Sequence, residues 1–198
     1  MLRVIHNGVH DIAPERRADP RREPVRIVTV ARFQAPKDHP TLIRALAMIR
    51  SQPWRLDLVG DGPLERPVRR LAEELGIGAR VSFLGYQPDP SPTLGRAQIF
   101  VLPSRSEGFP RSLLEAMRAG LAIVASRVGG VPEAVTDGVS GLLAEPGDPA
   151  GLASALTALT ADANLRCRLG AEARQAYERS FRFERSAEQT FALYHELT

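Results

Sequence analysis

The chain is 198 residues long, 43% hydrophobic and 25% charged, with a formal net charge of +3. That length suits one domain with a tail, and the composition is ordinary for a soluble globular protein. No apolar run approaches the ~20 residues that span a bilayer, the single cysteine, Cys167, excludes an intramolecular disulfide, and no cysteine-bearing histidine cluster or D-x-D pair marks a metal site.

Leu2–Ile5 is short and apolar, with too little charge and length for a signal peptide. Asn7-Gly8 follows as a turn signal. Residues 10–24 hold four Arg, three Pro and several acids without periodicity, which reads as a linker with a solvated charge run. Arg26–Ala31 is β-branched and bounded by Pro24, the first strand. A loop runs from Arg32 to Pro40, and helix Thr41–Ser51 follows with Leu42, Ile43, Ala45, Leu46 and Ile49 on its apolar face. Arg32 therefore stands at the carboxyl end of a strand and Lys37 in the loop beyond it. Lys37 is the chain's one lysine against twenty-five arginines. A guanidinium grips a phosphate with two hydrogen bonds and an ammonium adds a point charge. The plainer alternative is two solvated surface cations.

Arg55–Val59 is the second strand, followed by Gly60-Asp61-Gly62-Pro63 and a helix to about Leu75. This G-x-G lacks a third glycine, since Glu65 takes its place, and it follows the second strand, not the first. A nicotinamide-binding fingerprint is unsupported. Gly60 and Gly62 instead allow a tight turn with close backbone approach to a ligand. Val81–Leu84 is a short strand ending at Gly85-Tyr86-Gln87, and Pro90–Arg96 a short helix or turn.

The stretch 103–120, PSRSEGFPRSLLEAMRAG, begins where the buried strand Ile99–Leu102 ends. Pro110 suits the first helical position, and Leu113, Leu114, Ala116 and Met117 supply an apolar helical face. A helix start at the carboxyl end of a parallel strand offers N–H groups and about half a positive charge to an anion. Glu107 and Glu115 frame that place with seven residues between them. Carboxylates beside an anion site accept hydrogen bonds from hydroxyls, so the pair points to a nucleotide sugar. The alternative is a helix-start Glu107 and a solvated Glu115 paired with Arg111 or Arg118. Arg111 opposes the helix dipole, so helix stability does not explain it. It either faces a phosphate or acceptor or is solvated.

Leu121–Ser126 is a further strand, with the glycine-rich turn Gly129-Gly130-Val131-Pro132-Glu133 at its carboxyl end. Asp137-Gly138 is a turn, Gly141–Ala144 a last edge strand, and helices run from about Pro149 to Ala161, Asn164 to Phe181, and Glu184 to the end. This alternation predicts an α/β fold: a Rossmann-like, doubly wound parallel sheet of about six strands with helices on both faces and right-handed crossovers.

Glu107-Gly108-Phe109-Pro110 with Leu114-Glu115-Ala116-Met117 resembles the E-x7-E signature of retaining GT-B glycosyltransferases, in particular glycosyltransferase family four. The resemblance covers nearly the whole chain but only the C-terminal, donor-binding half of such proteins. Val4-Ile5-His6-Asn7-Gly8-Val9 is similar to the family segment where the chain leaves the N-terminal domain. The resemblance implies one half of a GT-B fold. Residues 1–24 would be the interdomain crossing and linker, 25–180 the donor-binding domain, and 181–198 a C-terminal helix packing back across the crossing. The N-terminal acceptor domain would lie outside this chain.

The implied ligand is a nucleoside-diphosphate sugar of UDP, GDP or ADP type, and the implied reaction a retaining hexosyl transfer without metal or other cofactor. Arg32 and Lys37 would grip the diphosphate, Glu107 the sugar hydroxyls and Glu115 the ribose. Tyr86 would lie near the nucleobase, with Gly60, Gly62, Ser106, Gly108, Phe109, Pro110, Arg111, Ser112 and Leu114 completing the donor site. The family usually carries Pro in the strand before the second glycine turn, where this chain has Leu121-Ala122. The implied partners are the donor and the N-terminal domain of the same protein, not nucleic acid. The implied location is cytoplasmic, with peripheral association of the full-length enzyme at the inner membrane face. The chain by itself would not transfer sugar. Two other readings stay open: a stand-alone module that captures a nucleotide or sugar, and another GT-B-like enzyme such as an epimerase or phosphorylase. A phosphorylase should carry a cofactor lysine, which one Lys in the chain makes a weak match.

Overall fold

A computed structural model describes residues 4–197 of the chain; Leu2 and Arg3 of the leading apolar run, and Thr198, lie outside the described residues. Six strands form one parallel sheet: β1 (Val25–Val30), β2 (Trp54–Val59), β3 (Val81–Phe83), β4 (Ile99–Leu102), β5 (Ala122–Ser126) and β6 (Leu142–Ala144). Their order is β3-β2-β1-β4-β5-β6, and every pairing is parallel. The helices are α1 (His39–Met48), α2 (Glu65–Glu74), α3 (Ser91–Leu94), α4 (Arg111–Arg118), α5 (Val131–Ala134), α6 (Pro149–Ala161), α7 (Ala163–Ser180) and α8 (Phe183–Leu197).

Every residue of β4 and β5 is buried because both faces of the sheet are covered. On one face Ile27, Leu56, Leu58, Val101 and Val124 pack with Leu42 and Leu46 of α1, Val68 and Ala72 of α2, and Leu152, Leu156 and Leu159 of α6. On the other face Val28, Phe100, Leu102 and Ile123 pack with Leu113, Leu114 and Met117 of α4 and Ala173 and Tyr177 of α7. Full burial of each such side chain stabilises by roughly 1.5–3 kcal/mol. The winding reverses between β1 and β4. In doubly wound sheets a crevice opens at that reversal, outside the carboxyl ends of the strands, and ligands bind there.

Local boundaries differ from the sequence expectation for identifiable reasons. Helix α1 starts at His39, two residues before the expected Thr41, because Asp38 (φ 43, ψ 42) turns the chain through the left-handed region just ahead of it. Pro40 then falls at an early helical position, where its missing N–H costs nothing. The helix closes at Met48, short of Ser51, as Ile49 leaves the helical region (φ −106, ψ 26). Pro110 is the residue before α4, not its first member, because its ψ of 120° is extended.

The segment 10–24 is not a free linker. Asp11 takes both guanidinium Nη atoms of Arg174 at 2.6 Å, the Ala18 N–H donates to the Ala119 carbonyl at 2.9 Å, and Arg166 donates to the Pro20 carbonyl and to Glu23. The sequence pattern hid this because the partners lie far along the chain, Arg166 and Arg174 on α7 and Ala119 just after α4. Residues 6–9 are likewise clamped by the end of the chain. The Val9 N–H donates to the Phe181 carbonyl at 3.0 Å, its carbonyl accepts from the Phe183 N–H at 3.0 Å and the Tyr177 hydroxyl at 2.9 Å, and the Ser186 hydroxyl donates to the His6 carbonyl at 2.9 Å. Helix α8 thus does pack across residues 6–10.

Candidate functional site

The loops that leave β1 and β4 stand on either side of the reversal, and they carry Lys37 and Glu107. Lys37 closes a single 3-10 turn, residues Ala35–Lys37, beyond β1. Glu107 lies five residues past β4. Lys37 Nζ donates to Glu107 Oε1 at 2.6 Å, and the buried Ser104 hydroxyl donates to the same oxygen at 2.6 Å. The Glu107 side chain is 6% exposed and that of Lys37 26% exposed, so the contact is a largely desolvated ion pair. Both bonds end on Oε1, which leaves Oε2 free to accept. An ammonium has three donors, and Glu107 engages one.

Two further loops brace this pair. Gly60 and Gly62 follow β2 at φ +144 and +143. A Cβ on Gly60 would lie 2.1 Å from the Ala31 carbonyl oxygen, and one on Gly62 2.6 Å from that of Phe33. The close approach expected at these glycines is therefore made by the backbone of the neighbouring loop. That loop is tied in by the Phe33 N–H to the Asp61 carbonyl at 2.7 Å and the Leu64 N–H to the Phe33 carbonyl at 3.1 Å. Gly129 and Gly130 do the same for Glu107 from the other side. A Cβ on Gly129 would meet the Glu107 carbonyl oxygen at 1.8 Å, and the Gly130 N–H donates to the Gly108 carbonyl at 2.8 Å. The sequence showed a glycine-rich turn here but not what it abuts.

His39 is buried and stacked on Phe33 with ring centroids 4.3 Å apart. Burial, helped by the Lys37 charge and opposed by Asp38, brings its pKa down to about 4, so the ring is neutral. His6 and His10 stand four residues apart, a spacing that suits metal ligands on a helix. Neither lies on a helix, however: His6 faces Glu133 at 2.7 Å and His10 faces Glu184 at 3.4 Å. Among the described residues no group of three His, Cys, Asp or Glu is placed to hold a metal.

The remaining predicted residues divide. Arg32 is largely exposed and lies 3.5 Å from Asp61, apart from the Lys37 pair. Glu115 is only 12% exposed and accepts from Arg111 Nε at 3.2 Å, so the pairing half of the plainer alternative holds and the solvated half does not. Burial pushes its carboxyl upward, against the pull of Arg118 and Arg111. Arg111 itself is exposed. Ser106 and Gly108 are exposed on the loop, and Ser112 is half-buried in the first turn of α4, which no side chain caps. Pro110 is buried. Phe109 turns away to pack on His6 and Phe181, with centroids at 4.6 and 5.5 Å, which joins the motif to His6 and to the end of α7. Leu114 is wholly buried in the core, so its side chain cannot line a ligand site and is corrected to a packing residue. Tyr86 is 69% exposed. A groove of about 540 Å3 elsewhere, between Arg26, Asp57, Ser82 and Arg96, involves none of these residues.

Residues 12–176 match the family model for glycosyl transferases group 1. The chain belongs to that family. It is 33% identical over 172 residues to the N-acetyl-alpha-D-glucosaminyl L-malate synthase of Bacillus anthracis, covering 86% of this chain and 45% of the relative. Among solved structures it is similar to a sucrose-phosphate synthase of Thermosynechococcus elongatus, 30% identical with a TM-score of 0.87, covering 98% of this chain and 52% of that one. It is also similar to Anabaena HepE solved in complex with UDP and glucose, 25% identical with a TM-score of 0.80, covering 86% of this chain and 48% of that one. The fold is the Rossmann-like α/β half of a GT-B glycosyltransferase, and the chain spans about half the length of the relatives it matches.

Proposed function

We propose that this chain is the donor-binding half of a retaining, metal-independent hexosyltransferase and binds a nucleoside-diphosphate sugar at the crevice between β1 and β4. The observation that carries this reading is the desolvated Lys37–Glu107 pair at the switch point of the sheet, beside the uncapped start of α4. Lys37 offers its two remaining donors to the diphosphate. The N–H groups at Arg111 and Ser112 and the positive end of α4 add to them, and Arg32 closes from the β1 side. These groups stabilise charge as it develops on the leaving diphosphate. Glu107, with Oε2 free, accepts from the sugar hydroxyls, and its carboxylate favours the positive character the sugar acquires. Glu115 accepts from the ribose. Retention follows if the acceptor attacks from the leaving-group side, assisted by the departing phosphate.

The solved structure of Anabaena HepE with UDP and glucose supports a nucleotide-sugar ligand. The base and the sugar are left to experiment among UDP, GDP and ADP types. The acceptor belongs to an N-terminal domain of the same protein, so this chain alone does not transfer sugar at a useful rate. Orientation of two substrates contributes roughly 7–11 kcal/mol to such reactions, and the acceptor side is missing here. A cytoplasmic location, with peripheral association of the whole enzyme at the inner membrane face, completes the proposal.

A thermal-shift screen against uridine, guanosine and adenosine diphosphates and their sugars, run in EDTA, tests it. A ligand at 100 Kd should stabilise by about 2.7 kcal/mol. A shift that appears only after Mg2+ or Mn2+ is restored contradicts metal independence, and no shift with any nucleotide contradicts donor binding.

A further inference from the structure

Asp38 is the one non-glycine residue among the described residues with a positive φ, and it sits directly after Lys37. The left-handed region is strained for any residue with a Cβ, though Asp and Asn tolerate it best. An Asp ahead of a helix usually turns its carboxylate onto the first N–H groups of that helix. Asp38 does not cap α1 in this way. Its Oδ2 instead accepts from the Thr41 hydroxyl at 2.8 Å and forms an ion pair with Arg105 Nε at 2.8 Å, and its side chain is 7% exposed. Arg105 belongs to the other loop, two residues before Glu107. Its own N–H donates to the Pro36 carbonyl at 2.8 Å, one residue before Lys37. Its guanidinium lies against Gly147 beyond β6, where a Cβ would come within 3.2 Å of Nη2. Two ties, Asp38–Arg105 and Pro36–Arg105, therefore join the loops immediately beside the Lys37–Glu107 contact.

We infer that the Asp38–Arg105 ion pair is a clasp that positions Lys37 against Glu107, and that Asp38 and Arg105 are positioning residues for the donor site. A lysine side chain has several freely rotating bonds, and fixing its ammonium costs rotamer entropy. The clasp meets that cost in the backbone. It locks the residues next to Lys37 and next to Glu107 to each other, so the ammonium has one reach to one oxygen. It also accounts for an Asp where glycine would relieve the backbone strain: glycine has no carboxylate to hold the second loop. The ligand consequences rest on the donor-binding reading above, whereas the loop-to-loop coupling does not.

Because Lys37 is the chain's one lysine, 13C,15N-lysine labelling gives a single side-chain signal set that reports on it directly. In the unmodified chain the two ε-methylene protons should be inequivalent, as in a fixed ammonium. Asp38→Gly and Arg105→Leu touch neither Lys37 nor Glu107 through their side chains. Each should collapse the two protons to one position, as Glu107→Gln does. Asp38→Asn keeps the backbone tolerance and an acceptor and should retain part of the inequivalence. It also serves where Asp38→Gly proves unfolded. A wild-type lysine signal in both Arg105→Leu and Asp38→Asn, with collapse in Glu107→Gln, overturns the clasp. A second arm titrates UDP and uridine. Arg105→Leu should weaken UDP roughly tenfold, as Lys37→Ala does, with uridine unchanged. If the unmodified chain binds neither, the donor-binding reading fails and the lysine signal still decides the clasp.

Discussion

Lys37 Nζ and Glu107 Oε1 lie 2.6 Å apart although seventy residues separate them in the chain. Their strands, β1 and β4, are adjacent in the sheet, at the point where the winding reverses. The pair leaves two donors of a largely buried cation and one oxygen of a buried carboxylate uncommitted by the hydrogen bonds among the described residues.

The pair should be energetically coupled. Lys37→Ala strands a buried carboxylate, and Glu107→Gln removes its charge but keeps an acceptor for Ser104. A double-mutant cycle by urea unfolding at pH 7 should give a coupling of about 1–2 kcal/mol. Additive effects within about 0.3 kcal/mol would mean that the contact is not held in solution.

His39 supplies a pH dependence with a definite sign. Its pKa falls from 6.5 to about 4 on folding, chiefly through burial. A depressed folded pKa stabilises fully above the unfolded value, and that contribution is lost as pH falls through the folded value. Stability should therefore decline between pH 6.5 and 4 by about 3 kcal/mol on this account. His39→Gln should flatten that slope whatever it does to stability at neutral pH. Urea midpoints across the window compare the two, and equal slopes would place the ring in solvent.

Gly129 should be far less replaceable than a glycine at the surface. A Cβ at Gly129 would overlap the Glu107 carbonyl oxygen at 1.8 Å, whereas at Gly76 (φ +72) nothing lies within 4 Å. Gly76→Ala meets backbone strain alone, roughly 1–2 kcal/mol. Gly129→Ala must in addition displace the loop that carries Glu107. It should cost clearly more in thermal stability and abolish nucleotide-sugar binding. Comparable melting temperatures for the two variants would show that the loop moves freely.

The parallel sheet and its helices were readable because each follows from local pattern: apolar runs, glycine punctuation and amphipathic faces. The E-x7-E spacing likewise placed Glu107 in a loop and Glu115 in the helix after it, as found. What could not be read is what one loop does to another. Gly60 and Gly62 look like ligand-facing glycines in the sequence, yet Ala31 and Phe33 claim the space beside them. Leu114 sits inside the motif but on the face of α4 that packs on the sheet, so motif membership misplaced it. Ser104 and Arg105 carry no periodic signal and were missed, although both brace the residues beside them. A small polar residue directly after a buried strand was the one available hint for Ser104. The run of charge at 10–24 read as solvated because its partners, Arg166 and Arg174, lie on α7.

The central claim is that Glu107 and Glu115 serve different parts of one nucleotide sugar, and two variants against two ligands test it most directly. Calorimetric titration in EDTA should show that Glu115→Gln weakens nucleoside diphosphate and nucleotide sugar alike, by roughly 1–2 kcal/mol. Glu107→Gln should leave the nucleoside diphosphate nearly unchanged and weaken the sugar conjugate alone. Equal losses for both ligands in both variants would contradict the division of labour, and no loss in either would make the two carboxylates ordinary members of the fold.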